Sequence, residues 1–183
     1  MGGPTSLRPW AVQCAFDAHS AAKSDALWEA ADVSELVDRQ RIAAYGVAVR
    51  DGCILLARAS SSSDFPGAWS LPGGGVDHGE HPQQAVVREF LEETGLVVSV
   101  DAECAVFSDV MDIASKGIRL HHVRLCYQVA VVSGTLRDEP QGSTDLARWV
   151  PFGEALDLNP IAPFVTAAIE AAAQGRSLAG GEC

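Results

Sequence analysis

The sequence predicts an α+β fold in which a mixed β-sheet lies between helices. Three observations lead there. Short apolar runs bounded by turn residues recur from Ala43 to Val150, as strands do. One strongly periodic helix, Pro82 to Thr94, interrupts them, and a second, Ile161 to Ala173, follows them. Strands and helices do not alternate strictly, which favours a mixed sheet covered on both faces over a wholly parallel one.

Taken in order, Ala21 to Gln40 is rich in Ala, Leu, Glu and Asp. Its apolar positions Ala26, Leu27, Ala30, Val33, Leu36 and Val37 recur at three- and four-residue steps. Residues 1–41 are therefore expected to form an N-terminal helical arm, with Ser24 as a cap, packed on the domain or on a second subunit. Ala43 to Val49 reads as a strand, Asp51-Gly52 as a turn, and Cys53 to Ala57 as the returning strand of a hairpin. Ser60 to Gly67 is a polar loop, and Trp69 to Leu71 a short strand leading into a glycine-rich loop, Pro72-Gly73-Gly74-Gly75. After the helix, Leu96 to Val100, Ala102 to Val110, Leu120 to Val132 and Arg148 to Val150 read as strands. Phe152 to Leu156 is a short helix. The main domain is expected over 42–175, with a flexible Gly-rich tail over 176–183.

The bulk properties exclude several classes. At 183 residues, 48% hydrophobic and 20% charged, the chain suits a globular domain with an appended arm. No apolar run is long enough to span a membrane, and the first residues lack the pattern of a secretory signal, so a cytoplasmic setting is expected. A net charge of −11 argues against tight binding of long nucleic acid but permits a small phosphorylated ligand bound through a cation. The five cysteines show neither zinc spacing nor a disulfide framework.

Chemistry concentrates in GGVDHGEHPQQAVVREFLEETGL, from Gly74 to Leu96. Pro82 suits the first helical position, His81 then falls at the cap, and Gly95 is a natural left-handed stop. Val86, Val87, Phe90, Leu91 and Thr94 share one broad side, the expected core face. Glu89, Glu92 and Glu93 converge on the other, because residues three and four apart are helical neighbours. That convergence is repulsive, by roughly 0.2–0.5 kcal/mol per pair. A hard divalent cation with oxygen ligands resolves it. The glycine loop permits close backbone approach beside these carboxylates but lacks the Gly-Lys-Ser/Thr ending of a phosphate-cradling loop.

This segment resembles the Nudix box: Gly74, Glu80, Arg88-Glu89-Phe90, Glu92-Glu93 and Gly95-Leu96 fill every specified place. Such a match arises by chance with a probability on the order of 10⁻⁷ or below. Phe90 is bulkier than the aliphatic residue usual there. The resemblance to the Nudix hydrolase family covers the box and, more loosely, Ile42 to Phe164. It implies an α/β/α sandwich and hydrolysis of a phosphoanhydride in a nucleoside diphosphate derivative, of nucleoside triphosphate, ADP-ribose or nucleotide-sugar type. It implies Mg²⁺, with Mn²⁺ able to substitute, held by Glu89, Glu92, Glu93 and the carbonyl of Gly73. Arg88 would orient the carboxylates and Glu80 support the helix start. A homodimer is a further expectation.

Outside the box, Glu139 and Asp145 are candidates for a loop base or ligand, with Asp109 and Asp112 weaker. Phe65 and Trp69, beside the glycine loop, are candidates to stack on substrate, although core packing suits Trp69 better. His121 and His122 fall on alternate strand faces and suit structural roles. Features that resemble particular subfamilies, such as a proline near Met111-Asp112, are absent, so the substrate stays open. Two alternatives stand beside hydrolysis: a nucleotide-binding module that no longer cleaves, and an isoprenoid diphosphate isomerase using Cys53 or Cys126.

Overall fold

A computed structural model describes residues 36–139 and 142–177. Its backbone is a seven-stranded mixed sheet with three α-helices and one short 3-10 helix, Ala114–Lys116, among the described residues. The spine is β1 (Val37–Arg50), which runs parallel to β6 (Ile118–Gly134) from Val37 to Ala48. β6 in turn pairs antiparallel with β5 (Leu96–Ile113). At its far end β1 turns through Asp51 and Gly52, with φ of 49° and 78°, into β2 (Cys53–Ala59). Two positive φ values in a two-residue turn match the strand twist, and Asp-Gly is suited to them.

β1 and β2 stay paired only at Val49 with Ile54 and Arg50 with Cys53. β2 then diverges to pair with β3 (Trp69–Ser70) and β7 (Thr144–Pro151). The freed edge of β1 is taken by β4 (Gly73–Gly75), antiparallel to Ala43–Tyr45. This exchange of partners carries the glycines to the middle of the fold.

Each sheet face has its own core. On one, α1 (Pro82–Thr94) lays Ala85, Val86 and Phe90 against Ala44, Ala48, Leu55 and Tyr127. Gly46 is required there, since an added Cβ would come 2.4 Å from the Phe90 ring. On the other face, α3 (Pro163–Ser177) sets Phe164, Val165, Ala168 and Ile169 against Val47, Ile54, Leu56, Trp69 and Cys126. The short α2 (Phe152–Ala155) closes the chain between β7 and α3. Helices thus cover both faces of a mixed sheet, as the pattern of elements predicts.

Four local expectations are corrected. Val37 to Gln40 are strand, not the end of a helix, because their backbone pairs with Ile118 to His121 of β6. A sheet partner overrides helical propensity. The remainder of the helical arm, 21–35, lies outside the described residues. β5 is one strand rather than two, with register shifts at Val97/Val98, Val100/Ala102 and Glu103/Ala105 that let it bend without breaking. Gly73–Gly75 is a strand rather than a loop. Leu91, expected in the core, is 47% exposed, while Ala85 is buried in its stead.

Candidate metal-binding and catalytic site

The site is built where α1 passes β4. The helix starts on a capping box: His81 Nδ1 accepts from the Gln83 N–H at 3.3 Å, and Gln84 Oε1 accepts from the His81 N–H at 3.2 Å. Gly95, at φ 70°, ends it. Between these ends the burial of Ala85, Val86, Phe90 and Thr94 fixes the rotation of the helix. Glu89 and Glu93 fall between Ala85 and Val86 on the helical wheel, on the side that meets the glycine strand.

Gly73 sits at φ 141°, and a Cβ there would lie 2.3 Å from the Ala44 carbonyl oxygen and 2.6 Å from the Tyr45 Cα. Only glycine fits a backbone pressed this closely onto β1. Its N–H donates to Glu93 Oε2 at 2.9 Å. The neighbouring Gly74 leaves room for Glu89, whose Oε1 would lie 2.5 Å from an added Cβ. The glycines therefore serve to let two carboxylates lie against the backbone. The resemblance implies the Gly73 carbonyl as a ligand; the contact seen here is through its amide.

Arg88 organises the rest. Its Nε and Nη2 donate to the two oxygens of Glu80, each at 2.9 Å, in a bidentate pair. Nη2 also donates to the Gly75 carbonyl at 3.1 Å, and Nη1 reaches Glu89 at 2.8 Å and Glu92 at 3.3 Å. One guanidinium thus joins the helix start, the glycine strand and two of the three glutamates. Only the planar five-donor group of arginine can do this. The Arg88 bonds, with the Asp77 N–H, hold the Glu80 carboxyl down at about 2.

Glu93 has the opposite fate. It is 4% exposed. Burial raises its pKa first, Glu89 and Glu139 add to the rise, and the Gly73 N–H and Ser143 hydroxyl oppose it. The balance lies at about 8. Glu89 is also raised, chiefly by burial, with Arg88 opposing and Glu92 and Glu139 assisting. The spacing alone suggests mutual repulsion as the cause of such shifts; burial is the larger one.

These residues fit a hard divalent cation. Glu93 and Glu89 are poorly accommodated as anions, and Glu92 and Glu139 supply further oxygen donors nearby. Among the described residues no three Asp, Glu, His or Cys side chains are already closed into a metal shell. Arg88 explains this, because its Nη1 lies between Glu89 and Glu92 while Glu93 is turned to Gly73.

The two loop candidates separate. Glu139 stands beside the cluster, held by the Thr144 N–H and hydroxyl, both at 3.1 Å to Oε2. Asp145 instead pairs with Arg58 at 2.7 Å, across the β2–β7 ladder. Trp69 is 6% exposed and packs in the α3-side core, with the Arg148 guanidinium 4.5 Å from its ring centroid. Phe65 is 49% exposed on the Ser60 to Gly67 loop. Asp112 is held by Arg119, at 2.8 and 3.1 Å. His121 bonds Ser108 and Gln40, and His122 bonds Arg124, in agreement with structural roles.

Two participants were missed in the sequence. Ser143 reaches Glu93 Oε1 at 3.4 Å from fifty positions away, with no local signal. Tyr45 pairs with Gly73 in the β1–β4 ladder and feels the charge of Glu93, Arg41 and Arg124. A ring with a polar tip inside an apolar strand was the available clue.

Comparison with known proteins agrees with this geometry. A profile of the NUDIX domain matches residues 39–170. An ADP-ribose pyrophosphatase of Methanocaldococcus jannaschii is 34% identical over 96 residues, 52% of this chain and 54% of the relative. A CTP pyrophosphohydrolase of Escherichia coli is 38% identical over 88 residues, 48% of this chain and 61% of the relative. The chain thus spans little more than half the length of these curated relatives. The crystal structure of a MutT NUDIX hydrolase from Burkholderia pseudomallei superposes with a TM-score of 0.61 at 29% identity, covering 72% of this chain and 97% of that one. With the box residues gathered around one guanidinium and the match running through the whole sheet, this chain belongs to the Nudix hydrolase family.

Proposed function

We propose that the chain is a Mg²⁺-dependent pyrophosphohydrolase that cleaves a phosphoanhydride in a small nucleoside diphosphate derivative, of nucleoside triphosphate, ADP-ribose or nucleotide-sugar type. The observation that carries this reading is the buried Glu93 with the half-buried Glu89, both pushed toward protonation and set against the glycine strand with Glu92 and Glu139 beside them. A fold gains nothing in stability from such a group, so its presence points to a cationic ligand. The bound cation supplies charge neutralisation on the phosphoanhydride oxygens and activation of the attacking water. Mn²⁺ suits the same oxygen donors.

Within that chemistry the residues divide the work. Glu89, Glu92 and Glu93 hold the cation. Arg88 keeps Glu89 and Glu92 in place and is itself anchored on Glu80 and Gly75. Glu139 is the favoured proton acceptor, because it lies on a loop beside Glu89 and Glu93 and its carboxylate is oriented by Thr144. Asp145, engaged by Arg58, is not favoured for that task.

The isomerase reading receives no support. Cys126 is buried in the α3-side core, and Cys53 sits at the β1–β2 turn with Sγ 3.8 Å from the Asp51 carbonyl. The test is a panel of nucleoside triphosphates, ADP-ribose and nucleotide sugars incubated with Mg²⁺, with products identified by mass. Release of a nucleoside monophosphate from any of them supports the reading, and the absence of hydrolysis across the panel overturns it.

A further inference from the structure

Beyond the glutamates, the α3-side face of the sheet carries a polar group that the hydrolytic chemistry does not use. Strand parity places Tyr45 of β1, Arg124 and His122 of β6, and Phe107 and Asp109 of β5 on this one face. Arg124 is 8% exposed, yet its guanidinium makes a short contact with Asp109 through Nη1 and lies 3.0 Å from His122 Nδ1 through Nη2. It also lies over Phe164, 4.8 Å from the ring centroid. Phe164 meets Tyr45 and Phe107 in tilted ring contacts, with centroids 4.8 Å and 6.2 Å apart.

This group is continuous with the candidate metal site. Tyr45 is the link, as it pairs with Gly73 on one side and meets Phe164 on the other. Asp109 lies opposite His122, which lies opposite Arg41, four residues before Tyr45. The strand rise makes that step roughly 13 Å along the sheet. A nucleotide with its phosphates at the glutamates could lay its base along this face.

Burying a guanidinium is costly, and Arg124 is spent on aiming one carboxylate. Asp109 is the exposed partner of the pair, its side chain 43% accessible. The contacts to Arg124 and His122 both use Oδ1, and no partner of Oδ2 is found among the described residues. Phe107, two residues earlier on the same face, is only half-buried and presents a flat apolar surface beside it. An aromatic surface next to an anchored carboxylate suits a planar ring bearing hydrogen-bond donors.

We infer that Asp109 determines base specificity: it accepts a hydrogen bond from the exocyclic amino group of a nucleobase lying against Phe107. This rests on the hydrolase reading above. An ionised carboxylate accepts and never donates. It therefore favours a base with an amino group over the analogue with a carbonyl at the same place, whose oxygen would meet it lone pair to lone pair. Cytosine is preferred to uracil on this basis, and adenine to hypoxanthine. Arg124 is a positioning residue that holds Asp109 in place.

The experiment measures kcat/KM with Mg²⁺ for CTP against UTP and for ATP against ITP, in the wild type and in Asp109→Asn. Asparagine keeps the acceptor toward Arg124 but can donate to a carbonyl, so it removes the discrimination without removing the side chain. We expect the wild type to favour the amino-bearing member by at least about tenfold, mainly through KM, and the variant to lose most of that preference. No wild-type preference, a preference for the carbonyl analogues, or an unchanged ratio in a folded variant overturns the inference while leaving the hydrolase reading intact. Failure to hydrolyse any of the four, or any other nucleotide, overturns both. If Asp109→Asn does not fold, the wild-type ratio alone decides.

Discussion

Replacing Glu93 by Gln tests the strangest feature of the site, a carboxylate kept inside the fold. The group is 4% exposed, and burial lifts its pKa from the ordinary 4.5 to about 8. Between these two values the folded chain holds a proton that the unfolded chain has released. Stability of the metal-free protein must therefore fall as pH rises from about 4.5, and level off above about 8. Each tenfold in proton affinity corresponds to about 1.4 kcal/mol, so the full span amounts to at most roughly 5 kcal/mol for this one group. Glu89 moves in the same direction. Glu80 acts in a separate window: its depressed pKa contributes stability that is present above about 4.5 and lost as pH falls toward 2. Glutamine is uncharged at every pH and keeps an acceptor for the Gly73 N–H. The assay is urea unfolding with chelator from pH 5 to 9. We expect the wild-type curve to descend across this range, the Glu93→Gln curve to descend much less, and the variant to be the more stable above pH 8. Parallel curves would refute the reasoning, since they would mean that Glu93 is solvated and titrates normally in the folded protein. With Mg²⁺ present, kcat of the same variant should drop by orders of magnitude.

Three further outcomes follow from the same contacts. Gly74→Ala places a methyl group where the Glu89 carboxyl lies, so activity should fall well beyond any change in urea midpoint, whereas Gly73→Ala meets backbone at φ 141° and should cost about 1–3 kcal/mol in unfolding free energy. Glu139→Gln should lower kcat and flatten the pH–rate profile, while Asp145→Asn, which loosens only Arg58, should leave kcat within about twofold; equal effects in kinetic assays would refute the division between them. Hydrogen exchange on the full chain checks the remaining part of the expected helical arm, residues 21–35: slow exchange is expected if its apolar stripe packs, and uniformly fast exchange would reject the arm, because a lone helix of this length is marginal in water.

The sequence makes α1 legible almost to the residue, because several signals coincide there. Pro82, the apolar spacing and Gly95 all specify the same span, and that span is what forms. The periodicity also groups Glu89, Glu92 and Glu93. It cannot tell how deep each lies. Depth comes from β4, which crosses Glu93 only because β2 leaves β1 after two residue pairs, and from Ser143 on a distant loop. For the same reason Glu139 and Asp145 look alike in sequence, six positions apart on one polar stretch. The register of β7 against β2 sends Asp145 to Arg58, opposite which Leu146 is paired, and leaves Glu139 beside the helix. At β5, a polar interruption near Asp101 suggested two strands, but bulges absorb it within one. Val37 to Gln40 continue a helical pattern in sequence and become strand because β6 offers a long partner.

The most direct test of the catalytic reading is the rate of nucleotide hydrolysis at fixed pH near 8 as Mg²⁺ is titrated into chelator-treated enzyme, with Glu93→Gln run in parallel. Wild-type activity should be absent in excess chelator, return saturably with Mg²⁺, and stay low in the variant at every Mg²⁺ concentration. Full activity in the presence of excess chelator, or wild-type rates from folded Glu93→Gln, would contradict the roles given to Glu89, Glu92 and Glu93.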